Sequence, residues 1–294
     1  RSEALARLRG ETPVLTKQGP FARAVALALL ISLPALAHAK TREDCLREYT
    51  PQRGQDGKDV IWVPTEDPIV VPMLEMAKLT ATDKLYDLGA GDGKIPIAAG
   101  KRFGATAVGI EYDAALAKHA QCLVEAEGLQ ERVKVVQGDI FDADFGDATV
   151  VTLYLLPALN LRLRPTLLAM KPGTRGAAYS FTMGDWDPDD HVDTDDGSGS
   201  AYLWIVPADV RGVWTFRSAS GVDSFEVTLD QTFQKLEGAA GGSVVTGRLD
   251  GARIEFALAR GEHSARVTGT VDGDRIDATV TRDGEPMTYV GTRR

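Results

Sequence analysis

Between residues 84 and 206, short apolar segments alternate with longer runs whose apolar positions recur every three to four residues. The segments 84–88, 106–111, 133–138, 149–155, 176–181 and 202–206 predict strands. The runs 93–103, 113–127 and 159–170 predict the helices between them; Gly128 ends the second and Lys171-Pro172-Gly173 the third. Strands spaced by helices in this way form βαβ units, so the pattern predicts a doubly wound, mostly parallel sheet. Upstream, Asp67 reads as a helix N-cap with Pro68 at the first helical position, and Ile69, Val70, Met73, Leu74 and Ala77 share one face.

Near residue 208 the period changes. From Val213 onward there are short alternating segments broken by Asp250-Gly251, Asp272-Gly273 and Asp283-Gly284. Asp-Gly between alternating segments is a hairpin signal in which both central residues take positive φ. Repeated hairpins predict an antiparallel meander closed as a small barrel or sandwich. The chain therefore divides into a leader (1–39), an α/β domain (40–207) and an antiparallel β domain (208–294).

The leader has its own pattern. Arg23 precedes an apolar run over 24–37, and Ala37-His38-Ala39 follows, which reads as a secretory signal cleaved after Ala39. The protein is then exported to the periplasm or held at a membrane through 21–39; a true start further downstream leaves it cytoplasmic. Residues 185–196 contain seven Asp and predict a solvated, mobile loop, their spacing differing from an EF-hand.

Composition narrows the function classes. The chain has 294 residues, 44% hydrophobic and 26% charged, which suits a globular protein with a real core. A net charge of −9 argues against a general nucleic-acid binder, because phosphate contacts require clustered Lys and Arg. The two cysteines, Cys45 and Cys122, are too few for a disulfide scaffold, and Cys122 reads as a buried thiol. His38, His119, His191 and His263 are scattered, so no metal site is expected. Oligomeric state leaves no signature in the sequence.

The chemistry concentrates at the end of the first strand of the alternating region. Gly89, Gly91 and Gly93 follow Leu85-Tyr86-Asp87-Leu88, as a strand-to-helix turn requires when backbone amides must approach a ligand closely. Lys94 stands where a dinucleotide fingerprint has its last glycine, so that fingerprint fails. Asp87 lies inside the apolar strand, where a carboxylate needs a partner. Glu111 and Asp139 end the next two strands, so three acids line one crevice at the sheet's ligand-binding edge. A ligand carrying a diol, an amino group and a cationic centre suits that crevice.

The run Tyr86–Gly93 with Glu111 and Asp139 resembles the signature of class I S-adenosylmethionine methyltransferases, which have a Rossmann-like fold. The resemblance implies that Asp87 and the turn (Gly89, Gly91, Asp92, Gly93) face the methionine moiety, Glu111 the ribose, and Asp139 the adenine amino group, with Ile140 also in the cofactor site. A finer resemblance spans about residues 60–206. Trp62-Val-Pro-Thr65, Val151-Thr-Leu-Tyr154-Leu-Leu-Pro157 and Phe181-Thr-Met-Gly-Asp-Trp186 are similar to the mitochondrial ATP-synthase c-subunit lysine methyltransferase family and its bacterial relatives. That implies a protein-lysine acceptor. Nucleobase-amine methyltransferases carry Asn or Asp, two prolines and an aromatic where this chain has Tyr154-Leu155-Leu156-Pro157, so no nucleic-acid partner is expected. The acceptor wall is then assigned to Tyr154, Trp62, Trp186 and the backbone of 155–157. The rival readings are a small-molecule or lipid acceptor, and an exported ligand-binding protein with a repurposed α/β domain.

Overall fold

The computed structural model describes residues 40–197, 199–261 and 263–294; the leader read at 1–39 lies outside them. Helix α1 (Arg42–Glu48) starts on a capping box in which Thr41 and Asp44 bond reciprocally. Its one buried residue is Cys45. Cys45 is bonded to Cys122, 77 residues away, so the expectation of a free thiol at Cys122 is overturned. The pairing leaves no local signal, because it depends on α1 folding back onto a helix two strands later.

Helix α2 (Asp67–Met76) is capped by Glu66, one residue earlier than the sequence predicts, which places Asp67 and Pro68 within its first turn. Ile69, Val70, Met73 and Leu74 are buried as the periodicity requires. Strands β1 (Lys84–Leu88), β2 (Thr106–Glu111), β3 (Val133–Gln137), β4 (Val150–Leu153) and β5 (Arg175–Tyr179) pair in parallel. The helix predicted at 93–103 is shorter: α3 (Lys94–Ala98) runs into a π turn over Ala99–Phe103. There Gly100 packs so closely on Val133 that a Cβ would sit 2.4 Å from its Cγ2. Helices α4 (Ala114–Ala126) and α5 (Pro157–Leu168) follow β2 and β4. Asp113 caps α4, its carboxylate accepting from the Leu116 amide at 2.7 Å.

The sheet order is β3-β2-β1-β4-β5-β7-β6, where β6 is Asp190–Asp193 and β7 is Ser200–Ile205; β7 runs antiparallel to both β5 and β6. The direction of winding reverses between β1 and β4, which is where ligands bind in such sheets. One face buries Leu85, Ala107, Val133 and Val150 with apolar positions of α2, α3 and α4. The other buries Tyr86, Leu88, Ile110 and Val151 with α5, Trp186 and Trp204.

Strand β6 corrects the reading of 185–196 as a mobile loop. Part of the run pairs with β7, and several of its acids are engaged. The Asp189 carboxylate accepts from the Ile205 amide at 2.8 Å and from Arg248 at 3.0 Å, while Lys235 lies 2.5 Å from Asp187.

Residues beyond 210 form a closed up-and-down barrel of eight antiparallel strands. These are β8 (Gly212–Ser218), β9 (Ser224–Thr232), β10 (Lys235–Ala240), β11 (Ser243–Asp250), β12 (Arg253–Arg260), β13 (His263–Asp272), β14 (Arg275–Arg282) and β15 (Glu285–Arg293). Each pairs with its neighbour in sequence, and β15 returns to β8. Alternate residues, among them Trp214, Phe216, Phe256 and Tyr289, fill the interior. Turn chemistry differs from expectation at two of the three Asp-Gly pairs. Asp283 and Gly284 both take positive φ (51° and 85°) as predicted. Asp250 and Asp272 instead end their strands opposite Arg253 and Arg275, leaving glycine first in the turn as the lone positive-φ residue.

The barrel rests on the sheet domain through aromatic packing. Trp186 stacks on Phe233 with ring centres 5.8 Å apart, and its indole N–H donates to the Gln234 side chain at 3.1 Å. Trp204 donates its indole N–H to the Trp186 carbonyl at 2.8 Å. Trp186 is therefore a packing residue between sheet and barrel and no part of an acceptor wall, the residue being 1% exposed. Truncating so large a buried ring typically costs about 3–5 kcal/mol. Trp186→Ala should lower the denaturant midpoint accordingly while the protein that remains folded keeps its pocket; an unchanged midpoint would contradict this placement.

Candidate active site

The pocket opens at the carboxyl ends of β1, β2 and β4, where the sheet order reverses. Its floor is the glycine turn. Gly89, Gly91 and Gly93 take φ of 83°, 56° and 77°, a region that side chains rarely adopt. At Gly91 close approach adds a second demand, since a Cβ would lie 2.5 Å from the Trp62 indole nitrogen.

Asp87 sits under this turn, buried in β1, an inner strand of the sheet. The Thr152 hydroxyl of the adjacent β4 donates to its Oδ1 at 2.7 Å. Burial, with a smaller opposing effect from that hydrogen bond and further upward pushes from Asp92 and Glu111, raises the Asp87 carboxyl to about 7. Glu111 is held by backbone donors: Oε2 accepts from the Gly91 amide and Oε1 from the Asp113 amide, both at 2.9 Å. It thus braces the turn while facing the pocket. Asp92 lies just before the N-cap of α3, Gly93, and accepts from the Lys94 amide at 3.3 Å. At the far end, Asp139 and Ile140 line the cavity. Asp139 is ion-paired with Lys58, which holds its carboxyl below the usual range together with the Phe141 amide.

The roof is a strap formed by residues 55–65, of which the sequence reading picked out only the stretch Trp62–Thr65. The Trp62 amide donates to the Gln55 carbonyl at 2.9 Å and the Gly54 amide to the Trp62 carbonyl at 2.8 Å. Lys58 lies 5.3 Å from the centre of the Tyr112 ring. Lys94, read only as the break in a dinucleotide fingerprint, fastens the strap: its ammonium reaches the Thr65 carbonyl at 2.6 Å and Asp67 at 2.7 Å. Thr152 was also missed. Its role follows from β4 pairing beside β1 in register with Asp87, which no local pattern reveals.

Tyr154 and Trp62 both line the pocket, unlike Trp186. The Tyr154 ring packs 4.6 Å from Tyr179 and 6.5 Å from Phe181, and burial raises its hydroxyl above the ordinary value. The residues present fit S-adenosylmethionine. The desolvated carboxylate at Asp87 has a hydroxyl partner but, among the described residues, no cation, which a ligand's ammonium group supplies; Glu111 and Asp139 provide acceptors for hydroxyl and amino groups farther along. Such a fold and crevice define an S-adenosylmethionine-dependent methyltransferase of class I.

Known proteins narrow this further. Residues 87–190 match the family model of the ANTKMT methyltransferase domain. A protein-lysine N-methyltransferase of Saccharolobus islandicus is 38% identical over 151 residues, covering 50% of this chain and 94% of that protein. The human ATP-synthase c-subunit lysine N-methyltransferase is 32% identical over 125 residues, covering 42% of this chain and 52% of its own length. Among solved structures, an RNA methyltransferase from Salinibacter ruber in complex with S-adenosyl-L-homocysteine is 46% identical, with a TM-score of 0.49, covering 50% of this chain and 96% of that one. The chain belongs to the protein-lysine N-methyltransferase family represented by the Saccharolobus protein. The barrel lies outside the span matched by the family model.

Two consequences of the Asp87 environment can be measured. A cationic ligand group favours ionised Asp87, so affinity for S-adenosylhomocysteine should fall as pH drops below about 7 and level off above it. Asp87→Asn should weaken binding about 10- to 100-fold and flatten that profile, the loss expected for a hydrogen bond to a charged group. In the ligand-free protein the sign reverses. Between about pH 4 and 7 the native state holds a proton that the unfolded chain has released, so this group's contribution to stability declines as pH rises. Asp87→Asn should remove that decline in denaturant melts across the same window.

Proposed function

We propose that the protein transfers a methyl group from S-adenosylmethionine to a lysine side chain of another protein. The observation that carries this reading is the position of Tyr154 and Trp62, an aromatic wall directly beside the glycine turn. The family relationship supports the same acceptor chemistry. When bound, the cofactor supplies an electrophilic methyl group on a sulfonium centre.

The acceptor nitrogen must arrive neutral, because an ammonium has no lone pair. Tyr154, backed by Tyr179 and Phe181, gives the acceptor end a semi-apolar surface, and desolvation there lowers a lysine pKa. Holding nitrogen, methyl and leaving group in line is the larger task, worth several kcal/mol when orientation is good. Trp62 on the strap and Tyr154 beyond the end of β4 restrict the approach to the turn. Ile61 and Tyr112 line the pocket yet remain 56% and 49% exposed, an apolar rim suited to a protein surface. Net charge of −9 disfavours a nucleic-acid acceptor.

The Cys45–Cys122 bond supports residence in an oxidising compartment, reached through the leader read at 24–39 as a cleaved signal or a membrane anchor. Intact mass of the native protein, beginning at Lys40 or upstream of it, separates these two forms.

Incubating the protein with radiolabelled cofactor and lysate, followed by amino-acid analysis, should place the label in methyllysine for the wild type and not for Asp87→Ala. Label in nucleic acid or lipid alone would refute the lysine acceptor. Tyr154→Phe should keep turnover close to wild type, since the wall is aromatic. Tyr154→Ala should lower kcat about 10-fold or more, a modest share of the orientation effect, with affinity for S-adenosylhomocysteine unchanged.

A further inference from the structure

The disulfide sits at the head of a continuous line of contacts that ends on the cofactor turn. Cys45, Cys122 and Leu123 form a small apolar cluster separate from both faces of the sheet, and Cys45 is the one residue that α1 buries. Just past α1, Tyr49 packs against His119 of α4 with ring centres 5.6 Å apart. The Gln55 side-chain amide donates to the Tyr49 hydroxyl at 2.8 Å. The Gln55 carbonyl accepts the Trp62 amide, and the Trp62 indole lies over Gly91. Each link belongs either to the strap or to the surface beneath it.

A helix of seven residues with one buried side chain has little to hold it in place by itself. Helix α4 is anchored independently, with Leu116, Ala117, Ala120 and Val124 buried against the rest of the domain. The cross-link therefore fastens the less stable element to the more stable one. His119 is 4% exposed, its Nδ1 has no hydrogen-bond partner among the described residues, and burial lowers its pKa below the usual histidine value. The groups facing it are the Cys45 backbone and Tyr49 on the α1 side, with Arg42 and Asp92 at longer range.

We infer that the Cys45–Cys122 disulfide is a redox-sensitive latch that sets cofactor affinity by holding the strap over the glycine turn. Reduction by a dithiol proceeds by thiolate attack on one sulfur to give a mixed disulfide. The second thiol then resolves it, leaving Cys45 and Cys122 as thiols and the dithiol oxidised by two electrons. Both cysteines are buried, so attack requires α1 to open locally, a motion that its sparse packing permits. With the bond gone, residues 42–65 lose their anchor at one end. They remain fastened at the other end by Lys94, and across the pocket by the pair of Lys58 with Asp139. Cofactor affinity then falls while the sheet and barrel stay folded, so that methyl transfer favours the oxidised protein.

The inference rests on the reading of the pocket as an S-adenosylmethionine site, and the experiment separates the two. Calorimetry with S-adenosylhomocysteine is run on oxidised protein, on protein reduced with dithiothreitol, on protein reoxidised with glutathione disulfide, and on Cys122→Ala. Hydrogen exchange is followed by mass spectrometry on the same samples. Reduction and Cys122→Ala should each weaken binding about 10-fold or more, the scale of one lost ordering contact. Reoxidation should restore it for the wild type alone, and faster exchange should be confined to residues 42–65. Equal affinity in oxidised and reduced protein overturns the latch, as does faster exchange spread through the sheet, which would make the bond simply structural. Failure of the oxidised protein to bind would instead overturn the cofactor reading. The exchange pattern then decides the latch alone, a rise limited to 42–65 supporting it and no rise overturning it.

Discussion

A carboxylate buried inside an inner strand is the constraint around which the sheet domain is arranged. Asp87 occupies a position that would ordinarily be apolar, and burying its charge costs stability unless a cation arrives. Thr152 supplies a hydroxyl from the neighbouring strand, which satisfies part of that demand. The remainder is left for a ligand. Above it the turn's glycines adopt positive φ, and the next acid, Glu111, spends its oxygens bracing backbone amides. The sheet gives up stability locally to hold a site ready for a cation, as functional sites commonly do.

The roof of the site obeys a different logic. Residues 49–65 have no sheet to join and a helix of only seven residues before them. They are held by point attachments: a disulfide at one end, Lys94 at the other, and Lys58 on Asp139 between. Each attachment joins groups far apart in sequence, so the strap's position depends on the packing of α4 and the ends of the strands beneath it. An element secured in this way can be loosened without unfolding the domain.

The barrel shows how a region of unusual composition can be misjudged. Seven acids within residues 185–196 would repel one another in water, which favours disorder for an isolated segment. In the folded protein the barrel brings Lys235 and Arg248 to two of them, and β7 offers an edge on which the run can form a strand. Trp186 and Trp204 then bury their indole nitrogens with partners at the same junction.

Local signals were legible in the sequence because their causes are local. The alternation of periods specified a parallel sheet followed by hairpins, the glycines marked the turn, and acids at strand ends marked the crevice. Boundaries shifted by a residue or more where caps and turns have competing solutions, as at Glu66, Asp250 and Asp272. Tertiary structure alone decided which partner each of these groups meets. That Asp87 faces Thr152 follows from the order of strands; that Cys45 reaches Cys122 follows from α1 folding onto α4. That Trp186 packs on Phe233 instead of lining the pocket follows from where the barrel sits. Periodicity describes which side of an element is apolar, and the element that covers that side is chosen by the packing of the whole chain.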